Sequence, residues 1–392
     1  MGQVTGSSIS WHSANHQQHH KLARIIISNQ EFGPLRFHQD GTFHISILED
    51  LHFGENAWEP WGPRQDQASI KVIETVLDAE PATSLVVLNG DLITGQNVLR
   101  ENGTHYVDQI VSPIIQRNLT WASTYGNHDS DLNLSRWDLY SREKRYPNSR
   151  TEVMISSFID EAGITNYFLP VYPSSGPTDT PLLILYFFDS RGGFDYVFQS
   201  HKALQNWVHP RVVKWFKQTS SKFPDIPSLA FVHIPPNATL VLQEEGVNPH
   251  HQPGINQDVP LSQQGQGWCL DGTEGCDYGG QDLEFMQVLI DTPGLMALFF
   301  GHDHGNSWCK KWDNRVNLCF GQRTGYGGYG QWVRGGRQVL VTIDGLKERE
   351  VDTWIRLETG EAVGQVSLNR TYGEDRYKKV KDDRTCLDCH QP

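Results

Sequence analysis

Five short stretches of this chain end in side chains that hold metals and move protons. Asp50 and His52 close "SILEDLHFGE", and Asp91 sits in "VVLNGDLITG". Asn127, His128 and Asp129 follow one another in "TYGNHDS", and His233 stands in "FVHIPP". His302 and His304 flank an aspartate in "LFFGHDHGN". Imidazole and carboxylate together favour Zn, Mn and Fe, and no thiolate belongs to this set. Singly, each residue has a plainer reading: Asp91 and Asn127 as turn or cap residues, His233 as a satisfied core histidine, His52 and His128 as loop residues. Collectively they are a donor set for two ions. A two-metal hydrolytic site needs ions about 3.5–4 Å apart, bridged by one carboxylate, and two histidines at alternating positions can serve the two ions separately.

Such a site needs elements that aim every donor at one point. Apolar runs bounded by turn residues predict strands over 42–50, 84–91, 120–129, 181–190, 228–235, 295–303, 338–344 and 352–358. Between the first three, Ile70, Ile73, Val76 and Leu77 mark one face of a helix over 66–79. Val107, Ile110, Val111 and Ile114 do the same over 105–117, and Leu204, Trp207, Val208, Val212 and Trp215 suggest a third helix broken at Pro210. Strands alternating with helices predict βαβ units and a largely parallel sheet. Open α/β sheets bind ligands beyond the carboxyl ends of their strands, and that is where all five donor groups fall. The stretch 235–282, rich in Pro, Gly, Gln and Asn, reads as an extended surface insertion. The expected organisation is a disordered leader over 1–35, one catalytic domain over 36–370 and a loose charged tail over 371–392.

Asp50-x-His52, Gly90-Asp91, Gly126-Asn127-His128-Asp129, the His233 strand end and Gly301-His302-x-His304, in this order, resemble the signature of the calcineurin-like metallophosphoesterases over roughly 42–345. The run "GHDHGNSWC" followed by "LCFGQRTGYGGYGQWVRGGRQVLV" is similar to the plant and fungal purple-acid-phosphatase branch. The resemblance implies an α/β fold, a four-layer α/β/β/α sandwich of two mixed sheets. It implies that Asp50, His52, Asp91 and His304 hold one metal, that Asp91, Asn127, His233 and His302 hold the other, and that His128 faces the substrate. One departure stands out. Purple enzymes carry a tyrosine three places after the bridging aspartate, and here that residue is Thr94. The expected centre is therefore not purple, with Mn, Fe or Zn as its two divalent or trivalent ions.

The chemistry expected of such a centre is phosphoester hydrolysis. Two cations acidify a bridging water and offset the charge that builds on the phosphoryl group. His128 would donate a proton to the leaving oxygen or hydrogen-bond the phosphate, with Asp129 as a candidate orienting partner, and Arg191 and Arg323 are candidate clamps for the substrate phosphate. Phosphomonoesters, small or on a phosphoprotein, are the expected substrates. Phosphodiesters, or a catalytically silent metal-binding scaffold, are the alternatives.

Composition narrows the remaining classes. The 392 residues carry a formal charge of −13 with no basic stripe, which argues against binding a nucleic-acid backbone. No apolar run reaches the ~18 residues of a membrane span. Six cysteines fall in close pairs, Cys269/Cys276, Cys309/Cys319 and Cys386/Cys389, as local disulfides do. Sequons begin at Asn102, Asn118, Asn133, Asn237 and Asn369. Both features point to a secreted or vacuolar glycoprotein, and the lack of a signal-peptide core in the polar first twenty residues keeps a cytoplasmic alternative. "CLDCH" (386–390) matches the c-type haem pattern but lies in a hydrophilic tail with nothing to enclose a porphyrin, so a disulfide or free thiols are expected. No segment sets an oligomeric state.

Overall fold

In the computed structural model, which describes residues 32–155, 159–197 and 200–387, the apolar runs become strands buried on both faces. In chain order these are β1 (Leu35–Arg36), β2 (Thr42–Leu48), β3 (Thr83–Asn89), β4 (Trp121–Thr124), β5 (Tyr167–Tyr172), β6 (Leu183–Phe187), β7 (Phe194–Val197) and β8 (Ser200–Ala203). They continue with β9 (Ser228–Phe231), β10 (Leu295–Phe300), β11 (Cys309–Trp312), β12 (Val316–Phe320), β13 (Gly335–Thr342), β14 (Val351–Leu357) and β15 (Ala362–Leu368). One sheet runs β15-β14-β13-β2-β3-β4 and a second β1-β5-β6-β9-β10-β12-β11, while β7 and β8 form a separate hairpin. In the first sheet β2, β3 and β4 are parallel, and β13 turns the other way beside β2. In the second, β6, β9, β10 and β12 are parallel. Both sheets are thus mixed, as expected.

The helices are α1 (Gly62–Ala79), α2 (His105–Gln116), α3 (Arg136–Glu143), α4 (Ile159–Ala162), α5 (Pro210–Ser220), α6 (Asn237–Glu244), α7 (Leu283–Ile290) and α8 (Ile343–Glu348). Side-chain parity along the strands explains the layering. Leu85 and Val87 of β3 join Ile45, Phe187, Phe231, Phe299 and Val339 in the core between the sheets. Their neighbours Val86 and Leu88 point the opposite way, onto Val72, Ile73 and Val76 of α1 and Val107, Ile110 and Val111 of α2. In β6, Leu183, Leu185 and Phe187 face the inter-sheet core, while Ile184 and Tyr186 meet Val212 and Phe216 of α5 and Phe285 and Leu289 of α7. A strand with two buried faces reads as an unbroken apolar run. Each such Leu or Phe contributes roughly 1.5–3 kcal/mol of burial. The result is the four-layer α/β/β/α sandwich.

Three expectations change. Pro210 starts α5 instead of breaking a helix: it takes the first helical position, where its missing N–H costs nothing, and His209 Nδ1 caps the turn by accepting from Arg211 N at 3.1 Å. Residues 235–282 are not simply an extended loop. They contain α6 and the Cys269–Cys276 disulfide, bury Leu261 and Ile255, and pair with the His304 loop through Gln257 N to Gly305 O and Ser307 N to Ile255 O, both 2.9 Å. The tail as far as residue 387 is anchored: Tyr372 is buried and donates to Cys309 O at 2.7 Å, and Val380 packs with Trp332 and Ile355. Cys309 and Cys319 face each other across β11 and β12 and are disulfide-bonded. The leader up to residue 31, with His12, His16, His19 and His20, lies outside the described residues, as does Cys389.

Candidate dinuclear metal centre

The carboxyl ends of β2, β3, β4, β9 and β10 meet along one rim. Asp50 and His52 follow β2, Asp91 follows β3, Asn127 and His128 follow β4, His233 follows β9, and His302 and His304 follow β10. Four of these residues adopt left-handed backbone: Asp50 (φ 51°), His52 (48°), Asp91 (49°) and His302 (76°). Each such residue costs on the order of 1–3 kcal/mol, so the surrounding structure must over-determine it. It does. Leu51 N and His52 N both donate to Asp91 O at 2.8 and 3.0 Å, Asp50 N donates to Gly90 O at 3.0 Å, and His302 N donates to the Asp50 carboxylate at 3.1 Å. Two glycines allow the close approach. A Cβ on Gly90 would stand 2.4 Å from His233 Nδ1, and one on Gly126 2.2 Å from Asp91 Oδ1.

The donor atoms fall into overlapping groups. Asp50, His52 and His304 form one, Asp91, His233 and His302 another, and His52, Asp91 and His128 a third, with all ligand atoms of a group within 4.8 Å of one another. Asp91 sits between them: its Oδ2 is 3.0 Å from His233 Nε2 and 3.8 Å from His52 Nε2. Asp50 Oδ1 is 3.6 Å from His304 Nε2 and 3.9 Å from His233 Nε2. The rings are fixed from behind. His233 Nδ1 donates to Asn89 O at 3.0 Å, His304 Nδ1 donates to Tyr329 O at 2.8 Å, and His52 Nδ1 lies 3.2 Å from Thr94 Oγ1. A histidine whose Nδ1 is held this way offers Nε2 to a metal. Asn127 Oδ1 is buried without a hydrogen-bond partner, as a donor prepared for a cation would be. The residues present therefore fit two hard-to-borderline cations.

Burial governs the electrostatics. Removal from water lifts the Asp50 carboxyl to about 7, against the opposing attraction of His233. Burial lowers His302 to about 3, with the His233 charge beside it adding to the effect. At His128, burial disfavours the imidazolium, but the carboxylates of Asp91 and Asp131 outweigh it and raise the ring to about 9. Burial works against the Asp91 carboxylate too, but the His233 and His128 imidazoles outweigh it and hold the group well below the usual carboxylate range.

A cavity of about 310 Å³ opens onto this rim, lined by His52, Asp91, His128, His302 and His304 together with Glu55, Thr94, Gln96, Gly328 and Tyr329. Three sequence expectations are corrected here. Asp129 does not meet the His128 ring; it is fully buried and accepts from Leu92 N, Ile93 N and Gly126 N at 2.9, 3.0 and 2.8 Å, tying two ligand loops together. The His128 ring instead has Nδ1 3.2 Å from Gln96 Oε1 and 3.5 Å from Asp131 Oδ2. Arg191 donates to Trp207 O and Glu161 O, away from the cavity. Arg323 spends its guanidinium on the carbonyls of Gly325, Gly327, Tyr329 and Gly330 and stiffens the glycine-rich loop from inside. Sequence reasoning missed Glu55, Gln96 and Tyr329 as lining residues. For Glu55 a signal existed, since it stands three places after His52 on the same loop.

The model of the calcineurin-like phosphoesterase family matches residues 44–306. The chain belongs to that family. Among curated relatives, this phosphoesterase is 26% identical to "Probable inactive purple acid phosphatase 29" of Arabidopsis thaliana, over 83% of this chain and 84% of the plant protein. It is 27% identical to "Phosphatase DCR2" of Saccharomyces cerevisiae, over 81% of this chain but only 54% of the yeast protein, so it spans about half that relative's length. Among solved structures, a dimetal phosphatase from Danio rerio superposes with a TM-score of 0.52 at 12% identity, covering 84% of this chain and 99% of the other. That superposition supports the fold alone.

Proposed function

We propose that this calcineurin-like phosphoesterase hydrolyses phosphomonoesters at a two-metal centre held by Asp50, His52, Asp91 and His304 on one side and Asp91, Asn127, His233 and His302 on the other. The observation that carries the reading is the position of Asp91, whose carboxylate lies between the His233 and His52 donor groups, together with Asn127 Oδ1, which is buried without a hydrogen-bond partner. When bound, Mn, Fe or Zn would supply an acidified nucleophilic water and charge neutralisation for the phosphoryl oxygens.

The protein's own part is orientation and proton transfer. Asn89 O, Tyr329 O and Thr94 Oγ1 hold three imidazoles by Nδ1, so the ligand atoms do not rotate during turnover. His128, with Nδ1 toward Gln96 and Asp131, presents Nε2 to the cavity as proton donor to the leaving oxygen. Asp129 is a positioning residue that fixes the Asp91 and Asn127 loops against each other.

The name of the Arabidopsis relative favours a second reading, a metal-binding protein of the same fold without turnover. Phosphodiester hydrolysis is the alternative within the enzyme class. The test is turnover of p-nitrophenyl phosphate against bis-p-nitrophenyl phosphate after chelation and reloading with Mn, Fe or Zn. Preference for the monoester supports the proposal, preference for the diester replaces it, and metal retention without either favours the silent protein. The natural substrate in this reading is a phosphorylated small molecule or protein. The Cys269–Cys276 and Cys309–Cys319 disulfides support an oxidising, secreted or vacuolar setting, which mass spectrometry of glycans at the five sequons would test.

A further inference from the structure

The cavity above the rim has an uneven charge. Its ten lining residues include no lysine or arginine, and Arg323, the guanidinium carried on the adjoining loop, is turned into backbone carbonyls. The lining groups outside the donor set are Glu55, Thr94, Gln96, Gly328 and Tyr329. Glu55 is half-buried, and one of its carboxylate oxygens accepts from Gly328 N, which fixes the side chain at the cavity wall. Tyr329 stacks on the His304 ring at 4.1 Å, donates its hydroxyl to Asp258 and remains half-exposed where it lines the cavity. The loop carrying Glu55 is itself pinned, because Gly54 N donates to Asp66 at 3.1 Å.

We infer that Glu55 selects the leaving group, favouring phosphate esters whose alcohol carries a cationic or hydrogen-bond-donating group and disfavouring those that carry a second anion. This deepens the hydrolytic reading above and rests on it for the place of the phosphate. With the phosphoryl group on the metals, the alcohol portion must extend along the Glu55, Gln96 and Tyr329 wall. There an ammonium or hydroxyl finds an acceptor, while a second phosphate or a carboxylate meets the like charge of Glu55, with no lysine or arginine among the lining residues. A fixed carboxylate in a partly desolvated wall discriminates between such charges by about tenfold.

Two phosphonates of similar length separate this inference from the reading beneath it, because their C–P bonds do not hydrolyse. Calorimetric titration of the Mn-loaded full chain with 2-aminoethylphosphonate and with 3-phosphonopropionate is expected to give about tenfold tighter binding of the amine. Glu55→Gln keeps an acceptor for Gly328 N and removes only the charge, so the ratio should fall to within twofold; 0.5 M salt should narrow the wild-type ratio as well. Equal affinities in the wild type, no binding of either, or a ratio unchanged by Glu55→Gln overturns the inference. Turnover of phosphoethanolamine is measured alongside. Ordered binding with no hydrolysis of any ester keeps the selectivity and removes the hydrolytic reading.

Discussion

The Nε2 atoms of His52 and His304 lie 3.2 Å apart although 252 positions separate the residues, and each ring is tied from behind, one to Thr94 Oγ1 and the other to Tyr329 O. Two imidazole tips converging beside the Asp50 carboxylate have no apolar packing role to play. Thr94→Val removes the hydroxyl behind His52 and keeps the side-chain shape. Metal affinity should fall about 10–100-fold with the melting temperature of the metal-free chain nearly unchanged, as measured by chelator competition and thermal unfolding.

Asp129 and His128 are neighbours with separable roles. Asp129→Ala leaves three backbone N–H groups buried and unpaired, so stability should drop by about 3 kcal/mol or more. His128→Ala should retain metal and fold while turnover falls about 10²–10⁴-fold. Denaturant unfolding and p-nitrophenyl phosphate kinetics on the two variants separate these effects. A stable Asp129→Ala protein with lost activity would instead make Asp129 a catalytic partner.

Arg323 makes a similar contrast. It donates to four carbonyls of the loop that holds Tyr329 O behind His304. Arg323→Met should lower stability by about 3–5 kcal/mol and weaken metal retention together. A substrate clamp would show the opposite pattern, a raised KM with unchanged melting temperature.

Asp66 gives the stability curve a pH dependence of its own. Burial lifts its carboxyl from 3.8 to about 7, against the opposing hydrogen bond from Gly54 N. The folded pKa lies above the unfolded one, so its contribution is fully present below pH 4 and is lost as pH rises through about 7. Asp66→Asn keeps an acceptor for Gly54 N and cannot ionise. The variant should match the wild type near pH 4 and melt about 5 °C higher at pH 8. Parallel melting curves for both proteins across that range would show that Asp66 ionises freely in the fold.

Much of this architecture was legible because it rests on short-range pattern. Apolar runs such as those at β2, β6 and β10 announced strands buried on two faces, and turn chemistry marked their ends. The donor residues stood out because every one falls just after such a run. Less legible were features fixed by tertiary contact. β5, β11, β12 and β15 lack the unbroken apolar character of central strands, and Lys310 and Lys311 in β11 disguise an edge strand. Pro210 could be read as a break or a start until His209 was seen to cap it. Asp129, Arg191 and Arg323 have the residue types of a catalytic site, but the partners of Asp129 and Arg323 are backbone groups, and those of Arg191 are backbone carbonyls and the Gln205 side chain, which no spacing reveals. Glu55 and Tyr329 reach the cavity only because two loops, separated by more than 270 positions, meet through the hydrogen bond from Gly328 N to Glu55.

Anomalous diffraction from crystals loaded with manganese would locate the ions relative to Asp91. Two peaks are expected about 3.5–4 Å apart that share the Asp91 carboxylate, one completed by Asp50, His52 and His304 and the other by Asn127, His233 and His302. Absence of metal from this rim under saturating conditions, or a pair of ions bound with Asp91 turned away from both, would contradict the two-metal centre.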